Sequence, residues 1–133
     1  MNTVHPSLLL RRALLADGLV GAVTSLELLL LADWLSALLH LPRELLFGGG
    51  LVLAPLAAFL VWLSRRETIP RLAVWAVIAI NAVWVIDSLL LLVSGWVAPN
   101  PLGYAFLIGQ ALVVLLFIEL ELLGLKRSGP ALA

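Results

Sequence analysis

Apolar residues do not alternate with polar ones along this chain. They run in four long blocks, Ala13 to Leu39, Leu45 to Leu63, Leu72 to Val93 and Leu102 to Leu123. A helix that crosses a bilayer needs about 20 mostly apolar residues, so each block is of spanning length. Polar punctuation separates them at Pro42-Arg43-Glu44, at Ser64 to Arg71 with Pro70, and at Ser94 to Pro101 with Gly95 and Pro99. Proline and glycine end one helix and start the next. The connections are short, so successive helices are expected to be antiparallel neighbours. The pattern predicts an all-α fold over residues 1–133, a single membrane domain with helices at about 13–39, 45–63, 72–93 and 102–123, arranged up-down-up-down.

Composition excludes a water-soluble globule: 63% of the residues are hydrophobic and 12% are charged, about half the usual share of charge. Eight basic residues balance eight acidic ones, which leaves no excess positive charge to attract nucleic acid. Zero cysteines exclude disulfides and thiolate metal sites. Arg11 and Arg12 before a leucine-rich run suggest a secretory leader, but Asp17 and Glu27 interrupt that run, it is too long, and no small-x-small cleavage site ends it. The segment is expected to stay as the first span.

Basic residues mark the cytoplasmic side of a membrane protein. Arg11, Arg12, Arg65, Arg66, Arg71, Lys126 and Arg127 fall on one side of the four spans and only Arg43 on the other. Both termini are therefore expected in the cytoplasm. Trp34, Trp96 and Tyr104 would mark one interface, Trp62 and Trp75 the other, and Trp84 lies mid-span. The two halves share an order: a basic residue (Arg12, Arg71), an acid (Glu27, Asp87), four leucines (Leu28 to Leu31, Leu89 to Leu92), an interfacial Trp (Trp34, Trp96) and a closing basic pair (Arg65-Arg66, Lys126-Arg127). That order reads either as two pseudo-repeated hairpins or as the common outcome of charge placement in any two leucine-rich hairpins.

Depth follows from a rise of about 1.5 Å per residue: Glu27 lies roughly 22 Å past Arg12, Asp87 roughly 24 Å past Arg71 and Gln110 roughly 24 Å from Lys126. Asn81, roughly 15 Å from Arg71, lies near the midplane. An ionised group in hydrocarbon costs about 2.5–3.5 kcal/mol on insertion scales, so Glu27, Asp87, Asn81 and Gln110 form the candidate polar site. Its members would either carry protons or stay neutral as hydrogen-bonding glue. Asp17, Glu119 and Glu121 lie within roughly 11 Å of the basic markers and are expected to meet water or the arginines. On the first span Gly18, Gly21 and Ser25 make a small-residue stripe for helix packing, with Ala73, Ala76, Ala79 and Ala82 of the third span as a possible partner.

Other arrangements fail on geometry. Asp33, Ser36 and His40 share one helix face, but Asp33 and His40 are about 10 Å apart, too far for an orienting carboxylate. His5 and His40 fall on opposite membrane sides and cannot share an iron or zinc. Gly48-Gly49-Gly50 opens a span rather than following a strand, so it is no nucleotide loop. No cofactor, metal or catalytic residue is expected.

The arginine pair followed by Ala-Leu-Leu-Ala-Asp at 13–17, the stretch Val74 to Leu92 with Asn81, Trp84 and Asp87, and Ser-Gly-Trp-Val-Ala-Pro at 94–99 resemble small leucine- and alanine-rich bacterial four-span membrane proteins. The resemblance covers most of the chain and implies a bacterial inner-membrane location, but no chemistry. Small multidrug carriers share the length, the four spans and an acid in the first span, but not the wider pattern, so they offer analogy only. The leading expectation is a non-enzymatic membrane protein acting as a helix-packing or accessory subunit, bound to lipid, to other membrane helices or to itself. The alternative is a small proton-coupled carrier working as a homodimer.

Overall fold

The computed structural model describes residues 2–130. Helix α1 spans Leu8–Leu30 and a short α2 spans Ala32–Leu39; α3 (Arg43–Ser64), α4 (Arg71–Ser94) and α5 (Pro101–Lys126) follow. Four of the helices are long and apolar enough to cross a membrane. The chain is thus an all-α, multi-pass membrane protein of four spans, and the described residues form one bundle. Helix boundaries differ from expectation in two places. The Ser7 hydroxyl caps α1 by accepting from Leu10 N at 3.1 Å, which pulls Arg11 and Arg12 inside the helix. The first span also breaks at Leu31, where φ −115° and ψ 19° leave the helical region, so its far end is α2.

Three short strands lie outside the spans, and only the second falls in a segment expected to be a polar break. Strand β1 (Thr3–His5) is central, flanked by antiparallel β2 (Ile69–Pro70) and β3 (Gly129–Pro130). Val4 pairs with Ile69, and both are 0% exposed. Segments of two or three residues carry no legible period, so only the assembled bundle shows that both ends of the described chain and the 64–71 loop close one end. We call this the sheet end. Beneath the sheet, Leu10, Leu14, Leu60, Leu63, Val74, Val77 and Leu125 make a continuous apolar core.

The helices pack as two hairpins, α1 with α3 and α4 with α5, joined along α1 and α5. Small residues let backbones approach where side chains would otherwise hold them apart. At Gly18 a Cβ would lie 2.8 Å from Val61 Cγ2, and at Gly50 one would lie 2.9 Å from Leu29 Cγ. The Ser25 hydroxyl donates to Gly50 O at 2.8 Å across the same seam. Gly21 faces Ala57 at ordinary contact distance. The stripe of Gly18, Gly21 and Ser25 therefore packs helices within one chain, but its partner is α3 and not the alanines of α4. Ala76 and Ala79 are exposed.

Two corrections follow. Helices α3 and α4 are sequential, yet they do not pack along their lengths; Leu60 and Leu63 share an apolar cluster with Val77 and Ile78 near the sheet end, and farther along only the Trp84 side chain reaches toward Gly49. An exact repeat of hairpins would pair α3 with α4 as α1 pairs with α5, so the two-fold relation is broken where a cleft opens.

Candidate functional site: a polar-floored cleft

Asp17 on α1, Asn81 on α4 and Glu121 on α5 converge in the half of the bundle nearer the sheet end. All three are buried, Glu121 completely. The Asn81 amide donates to Asp17 Oδ2 at 2.9 Å and to Glu121 Oε1 at 3.2 Å. Both protons of one NH2 group are thus spent on two carboxyls. Glu121 Oε2 has no hydrogen-bond partner, and the nearest acid, Asp17, is held to the same Asn81 amide. Two carboxylates accept and cannot donate, so a direct bond between the two acids requires a proton on one of them.

Close backbone approach creates the cluster. Gly124, one turn from Glu121, lies so near α1 that a Cβ there would be 2.6 Å from Leu10 Cα. The Ser7 hydroxyl donates to Gly124 O at 2.7 Å and Ser128 Oγ to the same oxygen at 2.8 Å. This seam carries Glu121 inward to meet Asp17. Depth alone put both acids close enough to the basic markers to reach water; rotation about the helix axes puts them inside instead.

Asp17 and Asn81 line a cavity of about 180 Å³ whose walls include Gly21, Leu56, Ala57 and Leu60. Farther from the sheet end lies a larger cavity of about 450 Å³, bounded by Leu45, Gly49, Trp84, Asp87, Phe106 and Glu44 among others. Thr24, Trp84 and Gln110 border both, so the two are chambers of one cleft between the hairpins. A polar network holds the partition. Trp84 Nε1 donates to Gln110 Oε1, Gln110 Nε2 donates to Ser88 Oγ at 2.7 Å, and Ser88 Oγ donates to Trp84 O at 2.8 Å.

The four polar residues singled out by depth are therefore not one site. Asn81 belongs to the buried acid pair, Gln110 to the partition, and Asp87 to the mouth of the larger chamber. Glu27 is exposed and borders neither chamber. It stands ten residues from Asp17, about 80° around the helix, so a shared interior for Glu27 and Asp87 does not form. Asp17 and Glu121 are the members that depth reasoning missed. Spacing carries a partial signal for Asp17, which shares a helix face with Gly21, Thr24 and Leu28; Glu121 has none of this kind.

At the other end, Asp33 Oδ1 accepts from Arg43 Nε at 2.6 Å, the only ion pair among the described residues. His40 is exposed with a left-handed backbone (φ 54°) that ends α2, and the Ser36 hydroxyl donates to Leu41 O at 2.6 Å, away from any triad. No group of metal-binding side chains occurs among the described residues. Comparison with known protein families, curated sequences and solved structures finds no match.

Proposed function

We propose that the protein is a membrane-embedded, proton-exchanging carrier, in which the cleft admits a small molecule and the Asp17–Asn81–Glu121 cluster holds and releases a proton. One observation carries this reading: a fully buried carboxyl with an unpartnered oxygen beside a second acid, at the end of a cleft large enough for a ligand. Polar glue alone needs complementary donors and acceptors. Here one amide serves two acids, and the balance is made up by a proton. A bare carboxylate so placed would cost several kcal/mol of desolvation, and a proton shared with Asp17 removes most of that cost. Ligand reaching the smaller chamber would disturb Asp17 and Asn81, and the shared proton would leave to water at the end of the cleft bordered by the exposed Glu44.

The test is proton release from purified protein in weakly buffered detergent, followed with a pH-indicator dye, on adding a panel of cationic, neutral and anionic amphiphiles. Wild type should release protons with at least one class. Glu121→Gln and Asp17→Asn should release none while keeping helicity and cooperative melting. No release from wild type with any of the panel overturns the reading.

A second reading, a self-associating or accessory subunit, is favoured by Glu27. This acid is exposed among Val20, Val23, Leu30 and Leu31, where lipid would surround it, and a protein partner would relieve its cost. On this reading Glu27→Leu lowers the native mass measured after gentle extraction. An unchanged mass removes that face from any assembly.

A further inference from the structure

We propose that the larger chamber binds a lipophilic cation that enters sideways, from the bilayer, between α3 and α4. The proposal rests on the carrier reading and gives it a ligand class. Charge supplies the first argument. The ionisable residues bordering the two chambers are Asp17, Glu44 and Asp87, all acids, and no Lys, Arg or His borders either one. Among the basic residues, Arg43 is turned away, paired with Asp33 and stacked 5.1 Å above Phe47. The others lie toward the sheet end: Arg11 donates to Ser64 O at 2.6 Å, and Arg66 stands 4.9 Å over Trp62. An anion in the cleft would find repulsion, and a cation would find uncompensated acids.

The walls supply the second argument. Leu28, Leu46, Leu91, Phe106 and Trp84 make the chamber largely apolar, and 450 Å³ falls inside the range of about 300–1,000 Å³ typical of small-molecule sites. The indole of Trp84 is fixed by its bond to Gln110. A fixed ring with Phe106 nearby offers the aromatic surface that attracts a poorly hydrated cation. A strongly hydrated metal ion would gain nothing from such walls.

The opening supplies the third. Helices α3 and α4 share few backbone contacts and are bridged in this half by the Trp84 ring reaching toward Gly49, so a route from the lipid runs between them beside that ring, while the sheet and its apolar core close the other end. Asp87 is exposed at this gap, placed to draw the cation in before it reaches Trp84 and the partition toward Asp17.

Two hydrophobic ions of matched shape and opposite charge test the proposal: tetraphenylphosphonium and tetraphenylborate, measured by equilibrium dialysis against the purified full chain in detergent. Saturable binding of the phosphonium and none of the borate is expected. Asp87→Asn should weaken phosphonium binding about tenfold, Asp87→Glu should restore it, and Asp87→Asn with Glu44→Gln should weaken it further. Circular dichroism and melting keep misfolding separate from loss of the site. Equal binding of the two ions, or phosphonium binding that ignores both acids, overturns the cation assignment. The outcome is distinguishable from failure of the carrier reading: saturable phosphonium binding without proton release leaves the ligand class standing and removes proton exchange, and release with another class does the reverse.

Discussion

Substituting Gly124 by Ala adds one methyl group at the tightest point of the α1–α5 seam. The new Cβ would lie 2.6 Å from Leu10 Cα, 2.7 Å from Leu10 N and 2.9 Å from Leu10 Cβ, where 3.4 Å begins ordinary contact. Two of these three neighbours are backbone atoms, so no side-chain rotation relieves the clash, and the helices must part by roughly 0.8 Å. A gap of that size forfeits a quarter to a half of each dispersion contact along the seam, and overpacking of this kind costs about 1–3 kcal/mol. The hydroxyl bonds from Ser7 and Ser128 to Gly124 O, at 2.7 and 2.8 Å, stretch too and add about 1 kcal/mol. Against this stands a helix-propensity gain from Gly to Ala of at most about 1 kcal/mol. The net expectation is a loss of about 1–3 kcal/mol. Gly21→Ala is the control with the same chemistry, since its Cβ would meet Ala57 Cβ at 3.5 Å; it should be neutral or slightly stabilising. Unfolding of both variants in mixed micelles, followed by circular dichroism, gives the two values. If Gly124→Ala were as stable as wild type, or Gly21→Ala lost as much, the packing account of the seam would be wrong. The seam also positions the site: Gly124→Ala draws Glu121 away from Asp17 and should impair proton release more than its stability loss accounts for.

Asn81→Leu removes the donor to both buried acids, each of which then lacks a bond at a cost of about 1–3 kcal/mol. A drop of about 2–6 kcal/mol in the same unfolding assay is expected, and Asp17→Asn combined with Asn81→Leu should cost less than the sum of the two single changes. Orientation is checked with single cysteines at two exposed positions, Gly129 by the sheet and Ala98 in the α4–α5 loop. With the sheet end in the cytoplasm, an impermeant thiol reagent applied to intact cells labels position 98 and not 129; the reverse pattern inverts the topology.

The spans were legible in the sequence because a bilayer imposes a one-dimensional rule: about 20 apolar residues, broken by proline, glycine and charge. Distance along a helix is likewise one-dimensional, so the depths of Glu27, Asp87, Asn81 and Gln110 could be counted. What a residue faces is a different matter. Apolar residues surround every span, and lipid tails are as apolar as a helix interior, so the hydrophobic pattern does not say which face turns inward. Contacts decide it. Gly18 against Val61 and Gly124 against Leu10 rotate α1 and α5 until Asp17 and Glu121 meet at Asn81, while Glu27, at much the same depth as Asp87, turns out of the bundle. The same cause splits α3 from α4: a short loop dictates antiparallel order, and only the shape of the joined hairpins determines whether consecutive helices touch. Length, order and depth belong to the chain alone. Rotation, the sheet that closes one end, and the cleft with its acid floor arise when the helices are fitted together.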